Sequence, residues 1–410
     1  MEYKVAIAYG PFWGFIKGYV SWLSGVLDNS LYPILFLDCL LQLVDKKDES
    51  ILDKTFFRVI FVSCITLLLS YINYRGLDIV GNVAIALSII SMLPFIVLCF
   101  LSLFSLKPER WLNAPEGGFY AVDWGLLLNT FFWNINFWES AACFSGDVSN
   151  PGVTFPRGIM LAVVFVGLSS FFAILFSTGA SQSPYYEWSD GYFVHVADEI
   201  GGAWLGAWMM FAAAITNIGL FEAEMSSDAL QIAGMADRGI LPKFIGIRSK
   251  YDTPIVGIAM SAFCVILLSE YDFADLVEML NLLFCFGQSI EFFAFLHLRY
   301  YRMDLYRPYT IPLSFTGCVV MLIPPFVFMV IITALCSTAS IILCCVSSAF
   351  GVFLYYFLEY LKVNNIVEFH DDVEDNYMPN VPHKGKVDKP YRAYSYPEYK
   401  QVATEDPERH

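Results

Sequence analysis

The sequence predicts an all-α polytopic membrane protein, and two observations lead to that prediction. Of the 410 residues, 57% are hydrophobic and only 15% are charged, whereas soluble domains are about 25% charged. The apolar residues also fall into runs of about 20, the length of helix that crosses a bilayer, and short polar loops separate these runs. A soluble globular protein is therefore excluded.

Charge and cysteine usage exclude further classes. The chain has 24 Lys and Arg against 39 Asp and Glu, a net charge of −15, and nucleic-acid binding needs a positive surface. The ten Cys form no CxxC pair, so they are interpreted as small apolar residues, not as a disulfide or metal framework. Because no catalytic or nucleotide-binding motif is present either, we expect no enzyme activity, no cofactor, no metal and no nucleic-acid partner.

Hydropathy predicts ten spans within a transmembrane domain at 1-361. The spans lie near 12-43, 56-72, 79-104, 123-146, 158-179, 203-230, 255-269, 274-298, 313-335 and 339-361. Lys and Arg are more frequent in the loops on the side of the amino terminus, which places both termini in the cytoplasm. The remaining residues, 362-410, are rich in charged residues, Pro and Tyr and are predicted to form a disordered cytoplasmic tail.

The span at 123-146 is the most polar of the ten. It contains two amides, Asn134 and Asn136, and a carboxylate, Glu139. On a regular helix the two amides would point about 200° apart, whereas a locally unwound segment could turn both toward one ligand. We therefore predict an interrupted helix in this span.

The residues around that carboxylate suggest the chemistry of a ligand. Trp133 and Trp138 come shortly before Glu139 in the same span, and a carboxylate beside aromatic faces suits an amine-bearing cation through a charge-assisted hydrogen bond and cation–π attraction. Two other interpretations stay open: Glu139 forms a structural ion pair, or the tryptophans simply pack between helices.

Acidic residues recur on one face of the sixth span. Asn217, Phe221, Glu224 and Asp228 follow helical spacing. Glu224 is a candidate proton or cation site. Asp228 lies close to the predicted cytoplasmic end, so we expect it to be a helix cap or a surface partner.

Two further spans carry charged side chains. In the first, Asp28 is mid-span and should have a buried partner or a coupling role, whereas Lys17 lies near the cytoplasmic end and should extend to the membrane surface. In the eighth, Glu278 is a further candidate for a functional carboxylate. Glu291 is close enough to the inner end of the same span to pair with Arg299 or Arg302.

Collinear strings along residues 10 to 335 resemble the amino acid/polyamine/organocation transporter superfamily. Within it, they are most similar to the plant and protist polyamine uptake transporters of the L-type amino acid transporter group. The strings are GPFWGF (10–15), SGVLDNSLYP (24–33), NTFFWNINFWES (129–140), GDVSNP (146–151), AEMSSD (223–228), GMADRGILP (234–242), YDTP (251–254) and RPYTIP (307–312).

The resemblance implies a LeuT-like fold of two inverted five-helix repeats, in which discontinuous helices form a midplane substrate site. On that template the ten spans correspond to helices three to twelve of a twelve-helix fold, so we expect a chain truncated by its first two helices. The implied substrate-binding residues are Tyr32, Trp133, Asn134, Ile135, Asn136, Trp138, Glu139 and Asn217. The proton-coupling candidates are Asp28, Glu224 and Glu278.

The function implied is proton-coupled uptake of polyamines or related organic cations, with protons and the lipid bilayer as partners, at the plasma membrane or, alternatively, an endomembrane. Plant relatives carry Glu directly before the amide that matches Asn281, where this chain has Leu280. Transport of neutral or cationic amino acids therefore stays open. A third possibility is a non-transporting regulator or sensor.

Overall fold

The computed structural model describes residues 2–44, 55–112, 118–146, 150–184, 191–268, 271–303 and 309–370, together with Val148 and Trp188. Within these ranges the chain is almost entirely helical. The helices are α1 (Glu2–Tyr9), α2 (Pro11–Val44), α3 (Thr55–Arg75), α4 (Leu77–Ser102), α5 (Trp124–Asn134), α6 (Pro151–Ala180), α7 (Phe193–Gly201), α8 (Ala203–Asp237), α9 (Ile255–Leu268), α10 (Phe273–Tyr301), α11 (Phe315–Leu335) and α12 (Thr338–Val363).

Seven of the described helices, α3, α4, α6, α8, α10, α11 and α12, are long and apolar enough to cross a membrane. Helix α2 has 34 residues but is not one of the seven, and it buries the polar side chains Lys17, Asp28 and Asn29. Helices α5 and α9 are shorter, with 11 and 14 residues. The count of ten spans therefore stays a prediction. The predicted tail lies, from residue 371 onward, outside the described residues.

Helix α2 is at the centre of the described fold, because it packs extensively on both α8 and α10. Its apolar residues Val20, Leu27 and Leu31 join Leu276 and Leu280 of α10 in the main buried cluster. Between helices in a bilayer, such contacts stabilise the fold through close van der Waals packing. The two neighbours of α2 carry three of the predicted site residues, Asn217 and Glu224 on α8 and Glu278 on α10.

A second buried cluster joins α8 to α9. It contains Phe221, Met225 and Ala229 of α8 and Val265 of α9. A Cβ at Gly257 would lie 2.8 Å from the Ala229 carbonyl oxygen, so α9 approaches α8 this closely only because residue 257 has no side chain. Val26 and Tyr32 of α2 join the same cluster, so α2, α8 and α9 pack together here.

The most polar predicted span is interrupted. Asp123 caps α5 by accepting a hydrogen bond from the Leu126 amide at 3.0 Å, and the helix ends at Asn134. Phe137 has a left-handed backbone (φ 64°), and a 3₁₀ segment follows at Trp138–Gly146. The backbone thus leaves the α-helix between residues 134 and 138, within the segment where the sequence predicts a break.

Candidate functional site

A cavity of about 410 Å³ lies beside the interruption. One wall is the interruption itself, from Ile135 to Glu139, and α10 and α11 supply the other walls. The lining residues are Phe132, Ile135, Asn136, Phe137, Trp138, Glu139, Phe284, Gln288, Phe292, Pro324, Pro325, Phe328 and Met329. The walls are mainly apolar and include six aromatic residues, and Glu139 is the one ionisable side chain among the described residues that line them.

Two amide atoms in the cavity wall are available to a ligand. Asn136 Nδ2 and Gln288 Oε1 are both buried and have no hydrogen-bond partner within the described part of the chain. Buried polar atoms in native proteins are nearly always hydrogen-bonded. The cavity therefore offers an unused donor, an unused acceptor and the Glu139 carboxylate to a polar ligand.

A buried ion pair lies close to that carboxylate. Lys17 on α2 is 2% exposed, and its Nζ lies 3.4 Å from Glu291 Oε2 on α10. Glu139 interacts electrostatically with both members of the pair. A buried cation thus acts electrostatically on Glu139, although Lys17 itself does not line the cavity.

A second group of acids lies between α2 and α8, and it is anchored at Asp28. The Tyr32 hydroxyl donates to Asp28 Oδ2 at 2.8 Å, and Trp133 Nε1 donates to Asp28 Oδ1 at 2.6 Å. Since Trp133 belongs to the last turn of α5, this bond fixes the end of α5 to the middle of α2. Asp28 is therefore linked both to the acids and to the interruption.

Glu224 and Asp228 complete this group, which we call the acid cluster (Asp28, Glu224 and Asp228). A Cβ at Gly25 would collide with Asp228 Oδ1 and would lie 3.1 Å from Glu224 Oε1. Both acids also interact electrostatically with Asp28. Within the described residues, no Lys or Arg lies at ion-pair distance from the three carboxylates.

Three of the predicted site residues lie elsewhere. Asn134 Nδ2 donates to the Thr130 carbonyl at 2.8 Å, and Asn217 Nδ2 donates to the Ala213 carbonyl at 3.2 Å, each within its own helix. Glu278 accepts hydrogen bonds from the Ser337 amide and from Ser340 Oγ, where α12 begins. The structure therefore brings Ile135, Asn136, Trp138 and Glu139 to the cavity, and Asp28, Tyr32, Trp133 and Glu224 to the acid cluster.

Three expectations about charged residues were wrong. Lys17 does not extend to the surface but is buried against α10, and Glu291 pairs with it instead of with Arg299 or Arg302. Asp228 is 2% exposed and faces α2, so it is neither a cap nor a surface partner. In each case the residue packs against a helix that is remote in the sequence, so local position could not identify its surroundings.

Sequence reasoning also missed parts of the cavity wall. Pro324 and Pro325 lie inside α11, where proline removes backbone hydrogen bonds and bends a helix, and this pair was a signal for an irregular wall. Gly25 had a weaker signal, because it is one helical turn before Asp28 and so shares its face. Nothing in the sequence distinguishes Phe284 from the many other apolar residues.

Together these features define a class of protein. Several helices are long enough to cross a bilayer, an interrupted helix borders a polar cavity, and carboxylates are buried within the helices. Ionisable groups inside membrane helices mark ion and substrate pathways, and interrupted helices form the binding sites of secondary transporters. The described residues thus form a membrane transport protein, not an enzyme.

Comparison with known proteins agrees with this class. Residues 3–353 match the family model for amino acid permeases, and the chain belongs to that family. It is 42% identical to "Polyamine transporter PUT1" of Oryza sativa subsp. japonica over 386 residues. This aligned region covers 94% of this chain and 70% of the relative. It is 43% identical over 377 residues to "Polyamine transporter RMV1" of Arabidopsis thaliana, covering 92% and 75% respectively.

Proposed function

We propose that this permease is a proton-coupled secondary transporter of polyamines or related organic cations. The observation that supports the substrate class best is the cavity: its single carboxylate, Glu139, lies among aromatic walls. A substrate ammonium group would donate a charge-assisted hydrogen bond to the Glu139 carboxylate and lie against the face of Trp138. The names of the two relatives support the same substrate class.

The acid cluster supports proton coupling. Asp28, Glu224 and Asp228 are close together without a cation among the described residues, and like charges held together in a buried site repel strongly. A proton is the smallest ion that relieves this repulsion. Glu224 also interacts electrostatically with Glu139, so the charge of the acid cluster can respond to what occupies the cavity.

Amino acids are the second candidate substrate. The unpartnered Asn136 Nδ2 is a donor in the same cavity as Glu139, and a donor next to a carboxylate suits a ligand that carries both a carboxylate and an ammonium group. The family match to amino acid permeases points the same way.

The membrane arrangement belongs to the same proposal. We infer that α2, the interrupted α5 segment and α9 join the seven long apolar helices to give ten spans, in a LeuT-like arrangement corresponding to helices three to twelve. Both termini then lie in the cytoplasm, and the protein lies in the plasma membrane. The proposed transmembrane domain extends to residue 361 and the tail covers 362-410.

Uptake of labelled putrescine by cells that lack their own polyamine uptake tests the proposal. We expect uptake by the wild-type chain and its loss in Glu139→Gln. Glu359→Gln is the matched control, because Glu359 is exposed on α12 and should leave uptake unchanged. At equal expression, full uptake by Glu139→Gln contradicts the role of Glu139.

Competition then separates the two substrate classes. Excess unlabelled spermidine should reduce putrescine uptake, whereas leucine should have no effect. Strong inhibition by leucine favours the amino acid alternative.

A further inference from the structure

Lys17 has no role in the proposed transport reaction, although it is among the largest fully buried side chains of the described residues. A charged group of this kind is costly to bury unless it is paired. Gly287 of α10 leaves space for it, since a Cβ there would lie 3.6 Å from Lys17 Nζ and 3.7 Å from its Cδ. The packing therefore accommodates the ammonium group deep between α2 and α10.

The pairing of Lys17 with Glu291 is loose. The separation of 3.4 Å exceeds the 2.7–2.9 Å typical of charge-assisted hydrogen bonds. Glu291 Oε2 also has no hydrogen-bond partner among the described residues. The ammonium group of Lys17 can therefore interact with a second carboxylate as well as with Glu291.

Glu139 is the second carboxylate in the field of Lys17. It interacts electrostatically with both Lys17 and Glu291, and it is also the carboxylate that lines the cavity. Gln288, one turn before Glu291 on α10, lines the same cavity. Two carboxylates and one ammonium group, all ionised, leave one negative charge, which one substrate ammonium group would neutralise.

We propose that Lys17 is a resident counter-cation of the cavity, which is attracted to Glu139 while the cavity is empty and is held by Glu291 alone once a substrate ammonium group binds Glu139. This inference rests on the proposed function. Lys17 thereby sets the affinity for cations: its charge competes with the substrate for Glu139, and Glu291 weakens that competition. Lys17 is a positioning residue, since it acts on the substrate only through Glu139.

The proposal predicts opposite effects for two variants. In Lys17→Met/Glu291→Gln the competitor is removed together with its partner, so no lone buried charge remains, and the KM for putrescine should fall roughly tenfold, the effect of one charge interaction of about 1.4 kcal/mol. In Glu291→Gln, Lys17 keeps only Glu139 as a partner, so KM should rise by roughly the same factor. Lys17→Arg keeps the charge and should keep KM near its wild-type value.

Initial rates of labelled putrescine uptake, with expression and thermal stability measured in parallel, test these expectations. A purely structural ion pair would move KM in the same direction in both variants, or in neither, and either result overturns the proposal. If the double variant does not fold, an unchanged or lower KM in Glu291→Gln overturns it as well. A wild-type chain that takes up no putrescine contradicts the proposed function and this inference together, whereas wild-type uptake with an unaltered KM in every variant contradicts the role of Lys17 alone.

Discussion

The acid cluster and the cavity place carboxylates in opposite electrostatic surroundings. In the cavity, Glu139 has a buried cation nearby, Lys17, which is itself paired with Glu291. In the acid cluster, three carboxylates are packed close together, and Asp28 accepts hydrogen bonds from two neutral donors, Tyr32 and Trp133.

Under the proposed function, the two regions take different ions. Glu139, Glu291 and Lys17 together carry a single negative charge beside a space of about 410 Å³, which suits a bulky organic cation. The acid cluster is not part of that cavity wall, and Asp28 and Asp228 are each 2% exposed. A closed group of acids of this kind suits a proton, and Trp133 connects it to the interruption beside the cavity.

The largest effect should come from Asp28→Asn, because this residue joins the two regions. The NH2 of the new amide would face one of the two donors, the Tyr32 hydroxyl or Trp133 Nε1, so that hydrogen bond would be lost. Each hydrogen bond to the charged group contributes about 1.5–3 kcal/mol. We expect putrescine uptake to fall roughly 100-fold, with a lower melting temperature of the purified protein. Asp275→Asn, at an exposed position of α10, is the control, and equal losses in the two variants would contradict the linking role.

Glu224→Gln should separate proton dependence from substrate binding. The amide cannot bind or release a proton at physiological pH, so uptake should no longer increase when an inward proton gradient is imposed. In the wild-type chain and in Glu359→Gln the gradient should increase the steady-state accumulation of putrescine, by up to roughly tenfold for each 1.4 kcal/mol of driving force. If Glu224→Gln still responds to the gradient, proton coupling does not depend on Glu224.

Gly25→Ala tests the geometry of the acid cluster without removing a charge. The added methyl group would collide with Asp228 Oδ1 and force the carboxylate away from α2, so we expect uptake to fall several-fold, about 1 kcal/mol. Gly234→Ala is the matched control, since a Cβ there meets no atom within 4 Å. Equal activity of the two variants would show that the position of Asp228 is unimportant.

The smallest effect on transport is expected for Glu278→Gln. This carboxylate accepts bonds from Ser337 and Ser340 at the start of α12, where a negative charge stabilises a helix by about 0.3–1 kcal/mol. The melting temperature should therefore fall slightly, while the KM for putrescine and the response to pH stay unchanged. If Glu278→Gln lost the response to pH, Glu278 would take part in proton coupling, contrary to this prediction.

The sequence alone predicts the fold class and part of the candidate site, but not the contacts between helices. Composition and hydropathy predict a helical membrane protein, and the amides and carboxylate of the 123-146 span predict an interruption beside which Glu139 lines the cavity. The partners of Lys17 and Asp228 could not be predicted, because they depend on which face of α2 packs on α10 and α8. Hydropathy treats each span separately and contains no information about those contacts.

Counterflow in proteoliposomes tests the central claim most directly, because exchange of labelled for unlabelled putrescine needs the cavity but no net proton movement. We predict that Glu224→Gln keeps counterflow close to the wild-type rate while Glu139→Gln loses it. Loss of counterflow in Glu224→Gln together with its retention in Glu139→Gln would contradict the assignment of substrate to the cavity and protons to the acid cluster.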